Sequence, residues 1–396
     1  MSKVNIHMTH VEDTILDGID NAKWAIEHLL GLYSNLAGFG GKFNQTLSIK
    51  IDGSPAVFAW SKFPGLVGPG IAIKGLFNKD PKYMVNEKEI EVEYGDKPEL
   101  VKKLTAVLKA VRKIGIPEGQ IWQGDYLFDS STLFLDKTNF KGRRHFYFHP
   151  NTIRYYGDLD EVYGKQVGIC WHTRYTAPNL TEVKTTYDVR VEELENPDAC
   201  YNMDPYIDDL HVEFSPEDIE TIQNTLRVVL NLVEDDLATM SFYDLIENKD
   251  IIDNFRIFQN TCVREDNYSY FTPTHFKKFL TDRFFQKDLK LKSDKGKEKN
   301  RETLIKILSF LSVNSNMISN VFQTIRLMNS AKLFLLKKLN AAFGLETYLV
   351  KKDGTLIATQ HEGFALSDSE GNVVKLVDRY AFSRANFSDE YIKGWE

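Results

Sequence analysis

The chain has 396 residues, of which 42% are hydrophobic, 27% charged and 12% aromatic, and its formal net charge is −7. This length suggests two or three domains, and the ordinary globular composition excludes wholesale disorder and collagen-like or mucin-like repeats. The acidic balance excludes a uniformly basic nucleic-acid coat, so any polyanion partner must meet a local patch.

The three cysteines, Cys170, Cys200 and Cys262, lie far apart without CxxC spacing. This argues against a zinc site or a secreted disulfide scaffold and fits a reducing cytoplasm. No apolar run is long enough to span a bilayer. The opening MSKVNIHMTHVED lacks the apolar core and cleavage site of a signal peptide.

In chain order, residues 9–36 read as an amphipathic helix, with Thr9 as N-cap and Glu12 completing a capping box. Ile15, Ile19, Ala22, Ile26, Leu29 and Leu30 form its apolar side, and Trp24 lies off that stripe. From Leu47 to about Tyr175 the pattern is of strands: 47–51, AVFAW, GIAIKGLF, QIWQGDYLF, RHFYFH and QVGICWH. One helix interrupts them near 98–114, opened by Pro98 and closed by Gly115. From about 190 to 345 the chain reads as almost wholly helical, with a helix start at Ser215-Pro216-Glu217-Asp218 and a long pattern over 301–340. Strands return in TYLVKKDGTLIAT, HEGFAL and NVVKLVD. The expected organisation is α+β: 1–189 and 345–396 form one discontinuous domain, with an all-helical insertion at 190–344.

Chemistry is suggested by Ile49-Lys50-Ile51-Asp52-Gly53-Ser54. Alternation puts Lys50 and Asp52 on one strand face. A lysine held beside a tight turn among apolar neighbours can become a nucleophile if its pKa falls. The same residues also describe a surface lysine before a hairpin turn. Lys351-Lys352-Asp353-Gly354 repeats the pattern in a setting that reads as a plain hairpin, so order and company must decide.

Downstream of Lys50 come Gly124-Asp125-Tyr126-Leu127-Phe128, GICWHT, Glu362-Gly363-Phe364 and Val374-Lys375-Leu376. In this order they resemble the nucleotidyltransferase signatures of the polynucleotide ligase and mRNA capping superfamily, over about 45–180 and 345–380. KIDGS looks most like the form found in phage-type ATP-dependent RNA ligases. DNA ligases usually carry arginine two places after the glycine, where this chain has Pro55. KIDGSPAVFAW, IKGLFNKDPK and VVKLVDRYAFSRANF also resemble a family of uncharacterised tailed-phage proteins.

The resemblance implies a ligase-type fold of antiparallel sheets with flanking helices, ATP and Mg2+ as cofactors, and a place in the cytoplasm (the host's, if phage-encoded). It implies that Lys50 forms a lysyl-AMP phosphoramidate, its pKa depressed by Lys375 and a metal. The nucleotide would be bound by Lys50, Asp52, Gly53, Asp125, Trp171, Glu362, Lys375 and Lys74, and the metal by Glu362 and Asp125. Asp125 replaces the family's usual glutamate. Trp171 is either the ring that stacks on adenine or a core tryptophan, and Lys74 either a phosphate ligand or a surface lysine. Val377 stands where the family usually has a second lysine.

Between His275 and Lys306 there are eleven Lys/Arg and five acids, with Phe276, Phe279, Phe284 and Phe285 interleaved. Such composition suits a phosphate backbone and unstacked bases, or a solvated helix face over core phenylalanines. Three functions follow as expectations. The first is an RNA ligase, with RNA favoured over DNA and held by 275–306, and with no membrane partner. The second is a transferase sending the nucleotide to a protein, small-molecule or cap acceptor. The third is a catalytically inactive nucleic-acid-binding protein. Eighteen residues follow Asp378, too few for the C-terminal OB domain of many DNA ligases and capping enzymes.

Overall fold

The computed structural model describes residues 8–39, 45–136, 145–208 and 210–394. Arg144 of RHFYFH and residues 1–7 of the opening MSKVNIHMTHVED therefore lie outside the described residues.

The first expected helix divides. Thr9–His10 forms β1, Val11–Asp17 a 3-10 turn, and Ile19–Leu36 helix α1. The Thr9 capping box does not form, because Thr9 pairs in parallel with Val374. Gly18, at φ 118°, ends the turn before the helix can run through it. The strands β2 (Gln45–Lys50), β3 (Ala56–Trp60) and β4 (Gly70–Ala72) follow.

Two helices come next, α2 (Glu87–Tyr94) and α3 (Pro98–Ile114). The first is short and mostly exposed, capped by Asn86, and sequence periodicity did not reveal it. The second runs as expected between Pro98 and a left-handed Gly115. Then come β5 (Gln120–Asp129), β6 (Leu133–Asp136), β7 (His145–Phe148) and β8 (Ile153–Asp158). After the single turn α4 (Leu159–Val162) lie β9 (Val167–Thr176), β10 (Lys184–Thr186), β11 (Tyr201–Met203) and β12 (Tyr206–Ile207).

The helical block therefore opens at Pro216 rather than 190, since β11 pairs with β9 and β12 with β2. Its first helix, α5 (Pro216–Asn231), has the expected Ser215–Asp218 capping box. It continues through α6 (Met240–Glu247), α7 (Lys249–Arg264), α8 (Pro273–Lys290), α9 (Asp294–Val313) and α10 (Ser315–Ala342). The pattern over 301–340 is thus two helices meeting at Asn314. β13 (Thr347–Val350), β14 (Leu356–Ala358), β15 (Gly363–Asp368), β16 (Val373–Leu376) and α11 (Arg379–Phe387) complete the described chain.

The strands form three sheets, ordered β1-β16-β15-β2-β12, β10-β9-β5-β3-β4 and β14-β13-β8-β7-β6. The fold is therefore mixed α+β, and strands from beyond residue 345 pair with β2 and β8. The second sheet is covered by α3 on one face, and Phe58, Trp60 and Tyr175 join a small core on the other.

The helical block has no separate core. Ile26 of α1, Ile49 of β2, Phe364 of β15, Leu226 of α5 and Leu335 of α10 belong to one continuous cluster. A buried ionic group ties the same parts together. Lys332 Nζ lies 2.7 Å from Glu12 Oε1, and Arg379 reaches Asp13 at 2.9 Å and Asn260 at 2.9 Å. Among the described residues no helix is long and apolar enough to cross a membrane.

Candidate active site

Register builds the site. Lys50 ends β2 directly opposite Gly363 of β15, so Glu362, one residue earlier, meets it with Oε2 2.8 Å from Nζ. Ala365 pairs with both Ser48 and Lys375, which brings Lys375 onto the neighbouring strand of the same sheet. Lys375 makes no hydrogen bond or ion pair among the described residues.

Asp52 is 4% exposed and fully engaged. Its carboxylate accepts from Asn151 Nδ2 at 2.5 Å and from the amides of Thr152 and Ile153 at 2.8 and 3.2 Å, while its own amide donates to Tyr155 Oη. It orders the turn rather than offering lone pairs to a ligand. Gly53 is required by a close approach: a Cβ there would lie 2.5 Å from Asp125 Cβ and 2.9 Å from the Tyr126 carbonyl oxygen. That approach is what brings Asp125, on β5, beside Lys50.

The electrostatics follow from crowding. Burial works against the charge of Lys50, but Glu362, Asp125 and Asp52 outweigh it and hold the ammonium above the ordinary lysine range. The expected depression of this pKa is thus reversed in the free protein, because three carboxylates face the amine. Burial pushes Asp125 up to about 7 and Asp52 up to about 6, with Glu362 adding to both. Lys375 is lowered by burial and by Lys50.

Two expected ligands are placed elsewhere. Trp171 is completely buried beside Trp122 and donates Nε1 to Asn202, so neither ring face is open for a base to stack on. It is a core tryptophan. Lys74 lies exposed beyond β4, and no described contact joins it to the site.

A residue the sequence reading passed over takes the inward place. Gly124 pairs with Trp171 and Gln123 with Thr173, so His172 is the extra residue of a bulge. Its Nε2 lies 3.7 Å from Asp125 Oδ2, and burial together with Lys50 pushes it down to about 3, leaving a neutral ring. His10, opposite Lys375 on β1, is likewise held neutral by burial and by Arg379, Lys375, Lys332 and Lys50. No motif marked either histidine; only the bulge and the parallel pairing of β1 expose them.

Residues 5–391 match a family model described as a family of unknown function (DUF6267). The chain belongs to this family. No curated protein and no solved structure matches the chain.

Among the described residues no group of three or more His, Cys, Asp or Glu side chains is placed to hold a metal. Glu362 and Asp125 remain as a pair of hard oxygen donors within electrostatic reach of each other. Magnesium commonly uses one or two carboxylates and takes its other ligands from substrate phosphates and water, so this pair fits a nucleotide-borne cation. In the basic segment Phe276 and Phe284 are buried, Phe279 packs on the core, and Phe285 is 59% exposed. Three of the four rings therefore serve the fold, while most of the lysines of α8 and α9 face solvent.

Proposed function

We propose that this chain is an ATP-dependent nucleotidyltransferase working through a lysyl-AMP intermediate, and that it acts as an RNA ligase. The reading is carried by one observation: Lys50 is ion-paired with Glu362, with the half-buried Lys375, unpaired among the described residues, on the far side of β15 in the same sheet.

In the first step the Lys50 ammonium passes a proton through Glu362, its hydrogen-bond partner, to solvent, and the neutral amine attacks the α-phosphorus, its second surplus proton leaving with the pyrophosphate. The nitrogen–phosphorus bond forms, the bond to the bridging oxygen breaks, and pyrophosphate leaves. Lys375 faces the charge that builds on the phosphorus oxygens. Magnesium held by Glu362 and Asp125 would neutralise phosphate charge and draw the carboxylates away from the ammonium. A 5′-phosphate oxygen then takes the AMP, releasing the lysine, and a 3′-hydroxyl displaces AMP to join the strands. The exposed lysines of α8 and α9 suit the polynucleotide backbone. The same first step also serves a transferase with a different acceptor.

The test is incubation with magnesium and α-labelled ATP, followed by denaturation and chase with 5′-phosphorylated RNA or DNA. Label on wild type and none on Lys50→Ala supports the enzyme, and sealed RNA supports the ligase. A second reading, a binding protein without catalysis, is favoured by the held ammonium and by Val377, which is buried where a second lysine is usual. Absence of label with every nucleotide would select it.

A further inference from the structure

A cavity of about 740 Å³ lies between the second half of α10, the approach to β15, and α11. Its size is that of a small-molecule site. Leu336, Leu349 and Phe382 give it apolar walls, and Glu362, which holds Lys50, is part of its lining.

Two buried polar atoms of lining residues have no hydrogen-bond partner among the described residues: His361 Nε2 and Asn340 Oδ1. His361 is only 6% exposed. A neutral imidazole carries one N–H and one bare nitrogen, so the unpartnered Nε2 can take the acceptor part. Asn340 donates Nδ2 to Gln360 Oε1 at 2.6 Å, which turns its oxygen into a second acceptor. Unmet buried acceptors are costly, and a ligand that brings hydrogens to both removes that cost. A flat ring carrying an exocyclic amino group offers two N–H bonds from one nitrogen, and apolar walls suit its faces.

We infer that this cavity takes the base of the nucleotide that reacts at Lys50, selecting a base whose amino group donates to His361 and Asn340. The inference rests on the Lys50 reading, and it gives the base a place that the enclosed ring of Trp171 does not.

The experiment compares ATP with ITP, whose base lacks the amino group, in concentration-dependent labelling of Lys50, and AMP with IMP in calorimetric binding. Wild type should prefer the adenine nucleotide by roughly thirtyfold, the worth of two neutral hydrogen bonds. Asn340→Leu and His361→Phe should bring that preference towards unity, while Asn340→Asp, which keeps an acceptor oxygen, should retain it. Equal wild-type affinity for the two bases, or an unchanged preference in both Asn340→Leu and His361→Phe, overturns the assignment. Labelling of Lys50 by ATP without base preference sinks the cavity and leaves the Lys50 chemistry standing. Base-selective AMP binding without any labelling does the reverse, and failure of both removes both.

Discussion

Lys50 and Glu362 stand 312 positions apart and meet at 2.8 Å because Gly363 occupies the place directly opposite Lys50. Only glycine fits there. At φ 150° a Cβ would lie 2.3 Å from the Leu376 carbonyl oxygen, so the two ends of the chain can close on the amine only with no side chain between them.

The pair sets an expectation for pH. Lys50 is held above, and Lys375 below, the ordinary lysine range. Raising the pH should therefore uncover the neutral Lys375 amine first. Competitive acylation followed by mass spectrometry should give a lower midpoint for Lys375 than for Lys50, and Glu362→Gln should move the Lys50 midpoint down. Each unit of that shift is about tenfold more free amine at a fixed pH below it. Coincident midpoints in the wild type would contradict the electrostatic account.

Gly53 should not tolerate a methyl group. Gly53→Ala presses on Asp125 and on the Tyr126 carbonyl, both within 3 Å of the new atom. Overpacking of this kind costs about 1–3 kcal/mol, and it displaces Asp125 from Lys50. A lowered urea midpoint together with weaker nucleotide labelling per folded molecule is expected; an unchanged midpoint would show that β5 yields freely.

The buried Glu12–Lys332 pair makes a separate claim about stability. Lys332 is completely buried and Glu12 is 2% exposed, so Lys332→Met leaves a carboxylate with the more distant Arg379 at 3.7 Å and the His10 ring at 4.0 Å. Breaking a buried pair costs about 3–5 kcal/mol, whereas removing both charges is often nearly neutral. Urea unfolding should show a large loss for the single variant and substantial recovery for Glu12→Leu/Lys332→Met. A single variant as stable as wild type would show that the pair contributes nothing.

Neighbouring residues on β9 should separate folding from chemistry. Trp171→Phe loses buried volume and the bond to Asn202, so stability should fall by roughly 1–3 kcal/mol while labelling per folded molecule is kept. His172→Ala should do the opposite, changing labelling with little effect on the midpoint. If Trp171→Phe instead removed labelling from a stable protein, the tryptophan would belong to the site.

Local chemistry was legible where it is self-contained. The Ser215 capping box, the Pro98–Gly115 helix and the alternation of AVFAW need only near neighbours, and the KIDGS and HEGF segments stood out by type and order. Short strands such as Tyr206–Ile207 were not legible, because two residues carry no period and exist only through their pairing with β2.

What residue order alone determined, then, was which groups could react: a lysine before Asp-Gly, a late glutamate before glycine, a late lysine on a strand. The tertiary structure decided which of them meet. It turned Thr9 from a helix cap into a strand residue, buried Trp171, and turned His172 inward through a one-residue bulge. It also reversed the expected pKa shift of Lys50, because charge interactions depend on distance in space and on burial, and neither can be read from separation along the chain.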